Sequence, residues 1–161
     1  MLKQRQQEEE AFPMTADFKQ AYYRRLLPAL VAFGAAVAAR GLDEMIPLSP
    51  VAARMAGVVL FAGAIIVAVG LPVWIRAAFA NRVRLQRGVE EADFTQFQRR
   101  LITAALLTPY LAAVAVALPL DGFYQAGAVL ASLYAVYYHY PSPRRIAFDR
   151  RLFRVGRPQT C

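Results

Sequence analysis

Few residues in this chain of 161 are equipped for bond chemistry: there is one histidine, His139, and one cysteine, Cys161. One imidazole and one thiolate cannot complete a four-ligand zinc site. Haem held between helices needs axial ligands, and no second histidine exists to pair with His139. A lone cysteine cannot build a disulfide framework, and Cys161, with no partner, is expected to carry no structural role. No G-x-S-x-G, H-E-x-x-H or phosphate-loop pattern occurs. Ser49, Ser132 and Ser142 have no base nearby in sequence to activate them. Asp43 and Glu44 are adjacent acids in a loop, a pattern that is usually only solvated. The sequence therefore assigns no catalytic residue, no metal ligand and no cofactor, and the chain is read as a non-enzyme.

The densest set of interaction-competent side chains lies near the C-terminus, in Arg144 to Val155. Wound on a helix at about 100° per residue, Arg144, Arg150, Arg151 and Arg154 share one arc. Ile146, Phe148, Leu152, Phe153 and Val155 share the other. Arg145 and Asp149 fall within the apolar arc, spaced i, i+4, where they are expected to neutralise each other. A basic amphipathic helix after the Pro141-Ser142-Pro143 break is expected to lie on anionic lipid headgroups or to dock on a partner. The candidate contact residues are Arg144, Arg145, Phe148, Arg150, Arg151, Leu152, Phe153 and Arg154.

The elements that must carry this segment are hydrophobic. Hydrophobic residues make up 58 % and charged residues 19 %, yet the net charge is +8. That hydrophobicity excludes a disordered chain. An apolar and basic chain must segregate the two properties, which is the profile of an integral membrane protein. Met55–Ile75, Leu101–Leu120 and Gly122–Pro141 are charge-free runs of 21, 20 and 20 residues, and about 20 residues of helix cross the hydrocarbon. Leu26–Ala39 is shorter, but Arg24, Arg25 and Arg40 can snorkel at its ends. The expected fold is all-α: four transmembrane helices in two hairpins, with spans near 26–42, 55–75, 101–120 and 122–141. A tail and interfacial helix at 1–25 precede them, and a basic amphipathic tail at 142–161 follows.

Charge sets the orientation. Of 19 Lys and Arg, 17 lie in the N-terminal tail, the second loop and the C-terminal tail. The net charge is +9 on that side and −1 on the other. The positive-inside rule then places both termini in the cytoplasm of a bacterial inner-membrane protein, or on the stromal or matrix side in an organelle. Ala36-Val37-Ala38 has the spacing of a signal-peptidase site, and cleavage there would leave three spans. The long hydrophilic lead-in with Glu8-Glu9-Glu10 argues against it. Nucleic acid is not an expected partner, because topology already accounts for the basic residues.

Finer features fill in the spans. Ala16-Asp17-Phe18-Lys19-Gln20 followed by Arg24-Arg25 echoes Ala92-Asp93-Phe94-Thr95-Gln96 followed by Arg99-Arg100. The echo fits either a duplicated hairpin or two interfacial helices converging on one pattern, with Phe94 and Phe97 at headgroup depth. The Lys3–Glu10 run reads as mobile or frayed helix. Small residues recur every four positions: Gly34 and Ala38; Ala64 and Ala68; Ala104, Thr108 and Ala112; Gly127, Ala131 and Ala135. Such rows permit close helix packing. Pro28 is placed in the first turn of its span, and Pro109 is expected to bend the third span by freeing the carbonyl near Ala105.

No ionisable side chain lies mid-span, whereas proton-coupled transport requires one. The expected function is therefore a structural, accessory or assembly subunit of a larger membrane protein complex, in contact with anionic lipid headgroups. A transporter or channel without buried charge, lined by Thr103, Thr108, Tyr110 and Tyr134, is the alternative. A lipid-modifying membrane enzyme comes third.

Overall fold

The structure is a computed structural model. It describes residues 2–42, 47–84 and 89–155, with side chains from residue 16 onward. Asp43, Glu44, Arg87 and Cys161 lie outside the described residues. Every regular element among the described residues is a helix: α1 (Leu2–Gly41), α2 (Pro50–Ile65), a π-helical segment (Ile66–Gly70) running into α3 (Leu71–Val83), α4 (Glu91–Ala105), α5 (Thr108–Ala117), α6 (Gly122–Tyr138) and α7 (Pro143–Leu152). The two helical runs Pro50–Val83 and Glu91–Ala117 are long and apolar enough to cross a membrane.

Polar caps and prolines set these boundaries. The Ser49 hydroxyl accepts from the Ala52 N–H and opens α2, with Pro50 at its first turn. Asp121 accepts from the Phe123 N–H at 2.9 Å and opens α6 after the tight turn. Ser142 caps α7 at the Arg145 N–H, again followed by proline. Each is an N-cap side chain satisfying a helix donor that would otherwise be orphaned.

The internal prolines act differently from one another. Pro109 cannot donate to Ala105, and the third run is interrupted at Leu106–Leu107, where the Leu107 N–H turns back to the Ala104 carbonyl; the bend expected there is present. Pro72 cannot donate to Ala68, and the helix widens just before it, with the Leu71 N–H reaching five residues back to Ile66. Pro28 does not sit in a first turn. It lies well inside α1, a continuous helix of 40 residues and about 60 Å, with its ring on the exposed face. The N-terminal run is likewise helical from Leu2, so no break separates tail from span. The second run continues past Ile75 to Val83, eight residues beyond the expected end, which carries Arg76 and Arg82 on a helix rather than in a loop.

Packing divides the molecule into two halves. At the basic end, Phe18, Tyr22, Leu26, Phe94, Phe97, Leu101, Ile102, Leu106 and Ile146 form a core of bulky side chains. Phe94 and Phe97 are therefore buried rather than placed at a headgroup surface, because α4 packs against α3 and α1. At the other end the core is small: Ala64, Ala115, Leu120 and Ala128. There α2 and α6 interlock, Gly57 against the Tyr124 ring and Gly127 against the Phe61 ring, with no space for a Cβ at either glycine. Three of the four expected small-residue rows face neighbours. Gly34 and Ala38 do not; both are exposed, and Ala29 and Ala36 take the buried positions on α1.

The kinked α4–α5 run is central. Its apolar stretch is 61 % buried, against 17 % for the Pro50–Val83 run. The outer helices leave Leu27, Val31, Val59, Ile66, Val73, Trp74, Leu130 and Leu133 exposed. Large exposed apolar surface of this kind marks an interaction or membrane face more often than a solvated one.

Candidate functional site

The C-terminal helix predicted to carry the contacts is present, but it does not lie free. Asp149 holds it to the bundle. Asp149 is buried, and Arg76 Nη2 on α3 donates to both of its carboxylate oxygens, at 2.6 and 2.8 Å. Gln98 Nε2 on α4 donates to the same carboxylate at 2.9 Å. Three helices are thus clamped by one carboxylate. The expected Arg145–Asp149 pair does not form. Arg145 turns away and stacks on the Tyr138 ring, 4.4 Å from its centroid. The reason is burial: a carboxylate on the packed face of a helix needs partners on the opposing helices, since its own exposed neighbours cannot follow it inward.

The apolar arc of α7 is split by this docking. Ile146 is buried, and Phe153 packs edge-on against Phe79 and Phe97, with centroids 5.0 and 5.6 Å away. Val155 bridges Val89 in a short parallel pairing. Phe148 and Leu152 point outward instead, 64 % and 59 % exposed. With Arg144 and Arg151, also exposed, they make one stripe at i, i+4, i+7 and i+8. Arg150 reaches Glu91 at 3.4 Å. The outward surface is therefore a mixed stripe of two arginines and two large apolar groups, not the separate basic and apolar arcs read from the sequence.

Helix α7 ends with a Schellman arrangement. The Val155 N–H donates to the Arg150 carbonyl at 3.1 Å and the Arg154 N–H to Arg151 at 3.3 Å. The left-handed position falls on Arg154, with φ of 53°, where glycine is the usual residue. Beside it, an open groove of about 580 Å³ runs between α3 and the end of α7, lined by Ala77, Ala80, Arg84, Leu152, Phe153 and Arg154.

His139 is buried. It closes α6 edge-on to Tyr138, beside the Arg76–Asp149 pair. The cavity these residues line measures about 20 Å³, room for nothing larger than a water. Tyr22 lies close by on α1, outside the apolar stretch. Its hydroxyl donates to the Val136 carbonyl at 2.7 Å, near the C-terminal end of α6. Burial, with Tyr23 and Tyr140 adding to it, pushes this phenol up to about 12, so it acts only as a neutral donor.

The four residues suggested as a polar pathway go to separate places. Thr108 is buried, Thr103 bonds back to the Arg99 carbonyl, the Tyr110 hydroxyl donates to Arg25 O on α1, and Tyr134 stacks on Tyr138. Arg76 and Gln98 are the site residues the sequence reading missed. The available signal was Asp149 itself, an acid on the apolar arc of an amphipathic helix. No protein family, curated protein or solved structure matches the chain.

Proposed function

We propose that this chain is a four-span membrane protein with both termini in the cytoplasm, acting as an accessory or assembly subunit of a larger membrane complex. The observation that carries the reading is the docked α7. A helix clamped by a buried carboxylate still presents Phe148 and Leu152 to solvent between Arg144 and Arg151. Rigid presentation of large apolar groups next to arginines suits a contact surface. Support for membrane insertion comes from the exposed apolar faces of α1, α2 and α6 and from the one-sided distribution of basic residues. The third and fourth crossings in this reading are the 26–42 part of α1 and α6, whose 17 residues reach about 26 Å.

The test is purification from native membranes in mild detergent. The parent is expected to migrate with a stoichiometric larger assembly. Phe148→Ser with Leu152→Ser is expected to insert and accumulate but to elute alone. A parent that elutes as a small homogeneous oligomer rules out the subunit reading.

A further inference from the structure

The two echoing sequence blocks meet in space. Asp17, Gln20, Ala21, Arg24 and Arg25 of α1 and Arg99 of α4 line one open groove of about 550 Å³ at the basic end. Three guanidinium groups there face a single carboxylate, and no ion pair joins any of them to Asp17 or to another acid among the described residues. Arg25, one of the residues lining the groove, has its Nη1 buried with no hydrogen-bond partner among the described residues. A buried guanidinium N–H calls for an acceptor, and a charged one calls for an anion. The planar fork of arginine matches the oxygens of a phosphate.

The surroundings specify the carrier of that phosphate. One and two turns along α1 from Arg24, on the same side, Leu27 and Val31 are 59 % and 72 % exposed. The Tyr110 hydroxyl bonds to the Arg25 carbonyl, which places an exposed aromatic of α5 against the same stretch of α1. An anion in the groove thus sits directly above an apolar wall running away from it. We propose that the groove between α1 and α4 binds the phosphate of an anionic phospholipid, with its acyl chains along Leu27, Val31 and Tyr110. This rests on the membrane reading above and is separate from the α7 surface.

The experiment uses full-length protein in neutral detergent, delipidated and titrated with phosphatidylglycerol, phosphatidylcholine or inorganic phosphate, with thermal unfolding as the readout. Phosphatidylglycerol is expected to raise Tm by about 5 °C, with little change from the other two. Arg24→Gln with Arg99→Gln, both at exposed positions, is expected to fold normally and to lose most of that shift. Arg144→Gln with Arg151→Gln is expected to keep it. An equal shift from inorganic phosphate overturns the lipid as source, and an equal shift from phosphatidylcholine overturns the anion site. An undiminished shift in the Arg24/Arg99 variant also overturns the site. Membrane fractionation of the parent reads the insertion premise independently, so a membrane-bound parent with an unresponsive groove defeats this inference alone.

Discussion

At the scale of single residues, Asp149 is the most consequential side chain in the molecule. Removing one partner of a buried pair leaves an uncompensated charge, at a cost of about 3 kcal/mol where one partner is partly exposed, as Arg76 is. Arg76→Gln should therefore raise the opening equilibrium of α7 roughly a hundredfold. Faster tryptic cleavage after Arg150 and Arg151, with the spans still intact, is the measurement that checks it; unchanged cleavage rates would show that Ile146 and Phe153 suffice to dock the helix. Arg154 supplies a second prediction, of opposite sign. A non-glycine residue in the left-handed region costs about 1 kcal/mol, so Arg154→Gly should stabilise the end of α7 by about that amount in thermal unfolding, while removing one cation from the groove beside it. What the sequence made legible at this scale was composition: the arginines and the aromatics read directly. Partnership was not legible, because Asp149 lies 73 residues from Arg76 and 51 from Gln98, and no local spacing rule reaches that far.

At the scale of elements, charge-free runs located the helices, while their ends and faces depended on contacts outside each run. Pro109 bent its helix because a missing N–H acts locally. The extension of the second run to Val83 was not legible, since Arg76 ends a charge-free run only if it faces lipid or water, and here it faces Asp149. The π-helical segment adds one residue to a turn without adding rotation, which sets the direction of Arg76 relative to the Gly57–Tyr124 interlock upstream. Deleting Val69, an exposed residue inside that segment, should regularise the helix and leave α7 docked. Deleting Val59, exposed in the regular part of α2, should rotate everything downstream by about 100° and undock it. Proteolytic protection of α7 in the two deletion variants compares these directly, and equal loss in both would count against a register role for the segment. In the small-residue core, Gly127→Ala places a Cβ into the Phe61 ring, so overpacking should cost about 1–3 kcal/mol, read as a lower Tm in detergent.

At the scale of the whole molecule, two forms of packing coexist: bulky and aromatic at the basic end, alanine and glycine at the other. On the proposed membrane reading, the division follows from solvent. Where water surrounds the helices, burial of large apolar groups stabilises association; where lipid does, the gain comes from close backbone approach instead. The same division bears on signal-peptide cleavage. Phe18, Tyr22 and Leu26 lie before Ala36-Val37-Ala38 and belong to the aromatic core, so cleavage there would remove three of its members. The protein recovered from membranes should therefore retain the segment carrying Phe18, Tyr22 and Leu26, read by peptide mapping. The last prediction concerns orientation. Arg76 and Arg145 lie beside Leu101, Ile102 and Ile146 of the aromatic core, and Arg24, Arg25 and Arg99 lie on the α1 and α4 segments that carry it, while Asp121 caps α6 beside the alanine core. Moving the guanidinium groups through hydrocarbon costs about 2.5–3.5 kcal/mol each by insertion scales, so the basic end should remain in the cytoplasm through synthesis. Reporter fusions after Arg100 and Cys161 should score cytoplasmic, and a fusion after Asp121 external. A cytoplasmic score at Asp121 would leave α5 and α6 on the same side of the membrane and overturn the four-span arrangement, together with every contact surface argued from it.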